Sequence, residues 1–167
     1  MYKNELRRVS PESVGLSSKR LLALLQNLER ISEMHGIMIA CNGCVVAESW
    51  WAPYTADLPH ICHSLGKSYV ATAVALAIQD GLLSVEDRIV DLFREDLKAL
   101  GIEPYPNLNA LKIKHLLTMT NGMAHHPALD EHLVVNYLSE PIVFEPGSRF
   151  MYNTAGTSML GEVVTRL

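Results

Sequence analysis

Cysteine is scarce in this chain, and the three present, Cys41, Cys44 and Cys62, are an odd number. So small a set argues against the disulfide framework of a small secreted domain and makes reduced thiols the default. Aromatic residues supply only 7% of the sequence and charged residues 19%. With 49% of its 167 residues hydrophobic, the chain is nonetheless of ordinary globular composition and can bury a core without a covalent staple. Cations are in deficit, 14 against 18 acidic residues, for a net charge of -4. Neither nucleic acid nor an anionic membrane surface is an expected partner of such a chain. Long apolar runs are also missing. The segment 69–79 falls short of the roughly 20 residues that a bilayer crossing needs, and MYKNELRRVSPESVG has no apolar run behind its charges. A cytoplasmic protein without a membrane segment is therefore expected. Neither His-Glu-x-x-His nor a Gly-x-Ser-x-Gly elbow occurs, which argues against a zinc centre of that kind and against the α/β-hydrolase pattern.

What is present is ordered as helix, hairpin and then mostly helices. Over residues 16–34, Leu21, Leu24, Leu25, Leu28 and Ile31 recur at helical spacing after Ser17 or Ser18, either of which suits an N-cap. GIMIAC and CVVAESWW are β-rich runs separated by Asn42-Gly43, a pair suited to a type I′ turn, so a hairpin is predicted over roughly 36–51. Ser64 then opens SLGKSYVATAVALAIQDG, which reads as a buried helix ending at Gly81. Ser84 is placed to cap a short helix through SVEDRIVDLF, and IKHLLTMT is a helical segment ending near Asn121-Gly122. A loop at Pro127, a helix near 129–138, an irregular stretch PIVFEPGSRFMYN and a last helix over about 155–167 follow. This is an α+β order, with 1–60 as helix plus hairpin and 61–167 mostly helical within a single domain portion, 1–167. Two strands alone make a poor sheet, so further strands and an open hairpin edge prone to self-association are expected.

The chemistry concentrates at Ser64-Leu65-Gly66-Lys67, where one helical turn brings a serine and a lysine to the same face. A serine hydroxyl is a weak nucleophile at neutral pH and needs a base; a lysine partly desolvated against an apolar helix gives up its proton more readily. A serine amide at a helix N-terminus also points toward a developing oxyanion. Spacing alone is weak evidence, because twelve serines and six lysines would give about 0.4 such pairs by chance. Its position, where a hairpin and loop lead into an apolar helix, makes the pair notable.

HSLGKSYVATAVALAIQDGLLSVED resembles the nucleophile helix of the serine β-lactamase and penicillin-binding-protein family, especially the class C enzymes and their esterase and peptidase relatives. PESVGLSSKRL resembles the family's opening segment, IKHLLTMTNGM its characteristic helix and turn, and EPGSRFMYNTAGTSMLGEVV the region of its second catalytic motif. The resemblance implies a β-lactamase/transpeptidase-like α+β fold with no metal or organic cofactor. It also implies a small-molecule acyl substrate (ester, amide, peptide or β-lactam) and an acyl-enzyme. It assigns Ser64 as nucleophile, Lys67 as base or proton relay and Tyr152 as the phenolic partner whose pKa a nearby lysine cation lowers. The family's Tyr-x-Asn is here Tyr152-Asn153-Thr154. Thr154 would then contact substrate with one donor where an amide has two, and Asn153 could take that role only if the backbone differs locally. The family's late Lys-Thr-Gly or His-x-Gly motif does not occur after Tyr152, so the chain is expected to be the N-terminal portion of such a fold. A catalytically inactive binding or regulatory module, or a piece that needs the missing C-terminal strands, is the alternative.

Other polar groups read as structural. Cys41 and Cys44 fit Cys-x-x-Cys spacing, but a tight turn explains the interval, with reversible oxidation as a secondary reading. Cys62 reads as a buried small residue, with an inhibitor-accessible thiol as the secondary reading. His125-His126 lies in a predicted loop as a solvated pair, and the adjacency of His63 to Ser64 gives no evidence of a dyad. Trp50 and Trp51 suit packing at a strand end, with the lining of a cleft as the secondary reading.

Overall fold

The structure, a computed structural model, describes residues 6–167, which divide into two compact units between Ile61 and Cys62. In the first unit the Ser17 hydroxyl accepts the Arg20 amide at 3.4 Å and starts α1, Ser18–Ile31. Glu12 adds to that start by accepting the Ser18 amide at 2.8 Å, and hydrogen bonding to Ser18 holds its carboxyl below the usual range. No residue of α1 is buried.

The hairpin pairs β1, Gly36–Cys41, with β2, Cys44–Trp50, and Cys41 stands opposite Cys44. Asn42 and Gly43 have φ of 49° and 75°, the positive values that a type I′ turn demands. Ile39 pairs with Ala47 and Ala40 with Val45, which leaves Val46 as the extra residue of a β-bulge. The bulge allows the neighbours Val45 and Val46 both to be buried, where strict alternation would expose one. Along the other edge of β2 the Val45 amide donates to the Arg7 carbonyl at 2.8 Å, and Arg8 pairs with Glu48 at 2.7 Å. Trp50 lays its ring on Gly36, and Trp51 Nε1 donates to Glu29 at 2.5 Å, tying the hairpin end to α1.

The second unit contains α2, Gly66–Gln79; α3, Ile89–Leu92; α4, Arg94–Leu100; α5, Pro106–Ala110; α6, Ile113–Leu117; α7, Leu133–Ser139; and α8, Thr154–Arg166. The last is the central element, packed against α2, α6 and α7. Its Met159 and Leu160 are buried with Val74, Phe93, Ile113 and Leu116, and each such side chain contributes about 1.5–3 kcal/mol by leaving water. At its far end Arg166 pairs with Asp96 of α4 at 2.7 Å and lies 4.6 Å over the Phe93 ring.

Three expectations are corrected. The helix after Ser64 is not buried all round: Val74 and Ala77 are buried, whereas Tyr69 and Leu76 are exposed, because α8 covers one face only. Ser84 caps a turn rather than a helix. Its hydroxyl accepts the Glu86 amide at 3.2 Å and its own amide meets Asp87, while Arg88 is extended and bridges to Lys112, delaying α3 to Ile89. α6 stops at Leu117, well before Asn121-Gly122. Met119 takes φ 55°, its amide bonds Leu116 O at 3.2 Å and the Thr120 amide bonds His115 O at 2.8 Å, which is a Schellman ending. The short helices α4 and α5 hold too few periodic positions to stand out in sequence. No helix among the described residues is long and apolar enough to cross a membrane.

Candidate active site

Ser64 occupies a single 3-10 turn, His63–Leu65, that runs into α2. His63 has φ 44°, a left-handed conformation that costs a non-glycine residue on the order of 1–3 kcal/mol and that clusters at functional sites. One turn further on, Lys67 Nζ donates to Ser64 Oγ at 3.1 Å. Tyr152, 88 positions away in sequence, brings its hydroxyl into contact with the same Ser64 oxygen. The lysine nitrogen stands 4.9 Å from the tyrosine ring centroid.

The three residues form one hydrogen-bonded group open to solvent: Ser64 is exposed, and Tyr152 is 46% exposed. Hydrogen bonding to Ser64, then to Lys67 together with the charge of that ammonium, lowers the Tyr152 phenol below its ordinary range. Thr154, the first residue of α8, adds a smaller hydrogen-bonding contribution in the same direction. A serine hydroxyl, a lysine ammonium and a phenol of lowered pKa therefore form one hydrogen-bonded cluster.

Asn153, expected to take a substrate role only if the backbone differed locally, caps α8. It is 1% exposed, and its Oδ1 accepts the Gly156 amide at 2.7 Å, because α8 begins at Thr154 and needs an acceptor there. Cys62, expected to be buried, is exposed. Cys41 and Cys44 are half-buried thiols at the hairpin turn. His125 is exposed beside Glu140 at 3.3 Å, and His126 is exposed. In the first unit His35 Nδ1 and His60 Nε2 approach to 2.7 Å, with Tyr54 stacked on His35 at 3.8 Å. No group of three or more potential metal ligands occurs among the described residues.

Sequence reading passed over two further residues: Asn121, 1% exposed, donates to the buried Tyr137 hydroxyl at 3.3 Å. Only the placement of an asparagine before glycine at the end of an apolar run marked the first, and that reads as a turn. A cavity of about 330 Å³ lined by Arg88, Asp91, Arg94, Lys98, Ile102 and Asn109 includes none of Ser64, Lys67 or Tyr152, and both arginines are committed to Asp91.

Residues 26–167 match the family described as Beta-lactamase. An uncharacterized protein of Alkalihalophilus pseudofirmus is 27% identical over 161 residues, covering 88% of this chain and 43% of that protein. A crystal structure provisionally described as a beta-lactamase, from Bacteroides dorei, aligns with a TM-score of 0.65 at 20% identity, covering 89% of this chain and 45% of that one. A provisional 6-aminohexanoate-dimer hydrolase from Bacillus anthracis aligns with a TM-score of 0.61 at 20% identity, covering 84% and 42%. The chain thus spans less than half the length of these relatives. The shared fold is the β-lactamase-like α+β fold that the resemblance implies. Shape and family match lead to one assignment: the chain belongs to the Beta-lactamase family.

Proposed function

We propose that Ser64 is the nucleophile of a serine acyl hydrolase related to β-lactamases and that Lys67 and Tyr152 move its proton. The supporting observation is that Ser64 Oγ receives Lys67 Nζ at 3.1 Å and meets the Tyr152 hydroxyl. In acylation, Ser64 Oγ bonds the carbonyl carbon of an ester, amide or β-lactam while its proton passes to Tyr152, held toward phenolate by Lys67. Collapse of the tetrahedral intermediate breaks the bond to the leaving group, which takes that proton. Water then attacks the acyl-serine by the reverse use of the same groups, releasing the acid and restoring the Ser64 hydroxyl. The names of the relatives, a beta-lactamase and a 6-aminohexanoate-dimer hydrolase, support hydrolysis and leave the acyl group open.

Intact-mass spectrometry after a fluorophosphonate and, separately, a β-lactam tests this reading, with Ser64→Ala as control. A mass increase on the native chain that the control lacks is expected. No adduct from either probe favours the second reading, a binding module without turnover. One observation favours that alternative: Thr154 stands where the family motif has asparagine, and Asn153 is consumed as a cap.

A further inference from the structure

The core of the second unit contains a polar cluster set apart from the reacting oxygen. Asn121, Tyr137 and Asn153 are each 1% exposed. Asn121 Nδ2 donates to the Tyr137 hydroxyl at 3.3 Å, and its Oδ1 accepts the Met123 amide at 3.1 Å. Asn153 Oδ1 accepts the Gly156 amide at 2.7 Å, and its Nδ2 faces Met123 Sδ at 4.0 Å. Gly156 lies among all three. A β-carbon at that position would stand 3.4 Å from Asn153 Oδ1, 3.6 Å from the Tyr137 hydroxyl and 3.7 Å from Asn121 Nδ2. The first turn of α8 is therefore seated on a polar platform inside an apolar core. Leaving any of these buried groups without its partner is costly, so their relative positions are strongly held.

Tyr152 immediately precedes that platform. On its other side the Met151 amide donates to the Met119 carbonyl at 2.9 Å, and Met119 belongs to the Schellman turn that ends α6. The backbone is clamped on both sides of a residue whose own side chain is nearly half exposed. Backbone placement, rather than a surrounding pocket, sets where the phenol points.

We propose that Asn153, seated through Gly156 on the Asn121–Tyr137 pair, is a positioning residue that aims Tyr152 at Ser64. The inference rests on the acyl-transfer reading of the site and explains why the middle residue of Tyr152-Asn153-Thr154 faces the core. Asn153 touches no reacting atom; it acts through the backbone of its neighbour. Lys67 is the charged group facing the phenol.

The test labels tyrosine with carbon-13 at Cζ and follows Tyr152 by NMR across pH in the native chain, Asn153→Ala and Asn153→Ser. Tyr152→Phe assigns the resonance, and the rate of fluorophosphonate labelling is measured in parallel. In the native chain Tyr152 should titrate below the ordinary phenol value of about 10. Asn153→Ala should return it toward that value and slow Ser64 labelling about tenfold or more, while Asn153→Ser, which still caps α8, restores both. A variant Asn153→Ala that melts earlier but keeps the native titration and labelling rate overturns the proposal. If that variant does not fold, Tyr137→Phe removes only the hydroxyl that Asn121 meets; a shift in the same direction is expected, and an unchanged titration counts against the idea. A native chain that gives no adduct defeats the acyl-transfer reading, and the Asn153 dependence of the titration then decides the positioning role separately.

Discussion

Lys67 Nζ stands 3.1 Å from Ser64 Oγ, with the Tyr152 ring centroid 4.9 Å away. One lysine nitrogen thus stands beside both hydroxyls. Lys67→Met keeps most of the length of the side chain and removes its charge, so the Tyr152 pKa should move up toward its ordinary value. Phosphonate labelling of Ser64 at neutral pH should slow by about 100-fold or more. A labelling rate within a factor of about three of the native chain would remove Lys67 from the proton path.

Glu86 is bracketed by Lys112 and Lys114 at 2.8 Å each, and hydrogen bonds from the two lysines lower its carboxyl from 4.5 to about 2. Because the folded value lies below the unfolded one, the stabilisation is fully present above about pH 4.5 and disappears as pH falls through about 2. The group is solvent-exposed, so added salt should weaken the effect. Glu86→Gln should melt below the native chain at neutral pH, and the two melting curves should converge toward pH 2. Parallel curves over that range would show that the ion pairs contribute nothing to folding.

Gly122 has φ 83°, and a β-carbon there would run into the carbonyl oxygen of Phe144, whose amide donates to Gly122 O at 2.9 Å. Gly122→Ala combines left-handed strain with that collision and should cost at least about 2 kcal/mol, read from urea unfolding. A loss below about 0.5 kcal/mol would mean that the Phe144 segment yields without penalty.

β1 has no strand on its far side among the described residues, and Met38 on it is 47% exposed. Self-association through this edge is expected to appear in sedimentation velocity as a concentration-dependent shift. Met38→Lys should reduce it, because charge on an edge strand opposes pairing. A native chain that sediments as a monomer at every concentration would end the idea.

The pairing of Ser64 with Lys67 was legible in sequence because it needs only that a helix begin near residue 64. Tyr152 was not legible from spacing, since 88 positions separate it from Ser64 and only the resemblance to a family brought it forward. Asn153 marks the limit of such reading. Whether it faces substrate or caps a helix depends on α8 starting at Thr154 rather than Ala155, a one-residue difference that local preference does not resolve. The hairpin was readable from Asn42-Gly43, but the bulge at Val46 was not, because consecutive valines fit either face of a strand. Burial of α2 was overestimated for a related reason. Apolar composition reports what a helix can bury, and its neighbours decide how much of it they cover.

The two ends of α8 are fastened by unlike means, the Asn153 cap at one and the Arg166 pairing with Asp96 at the other. Helices ordinarily exchange amide protons first from their loosened ends. With both ends held and its middle buried, α8 lacks that easy route, so its amide hydrogens should be lost to deuterium mainly when the whole second unit opens. The helix that follows Tyr152 is then as long-lived as the unit itself.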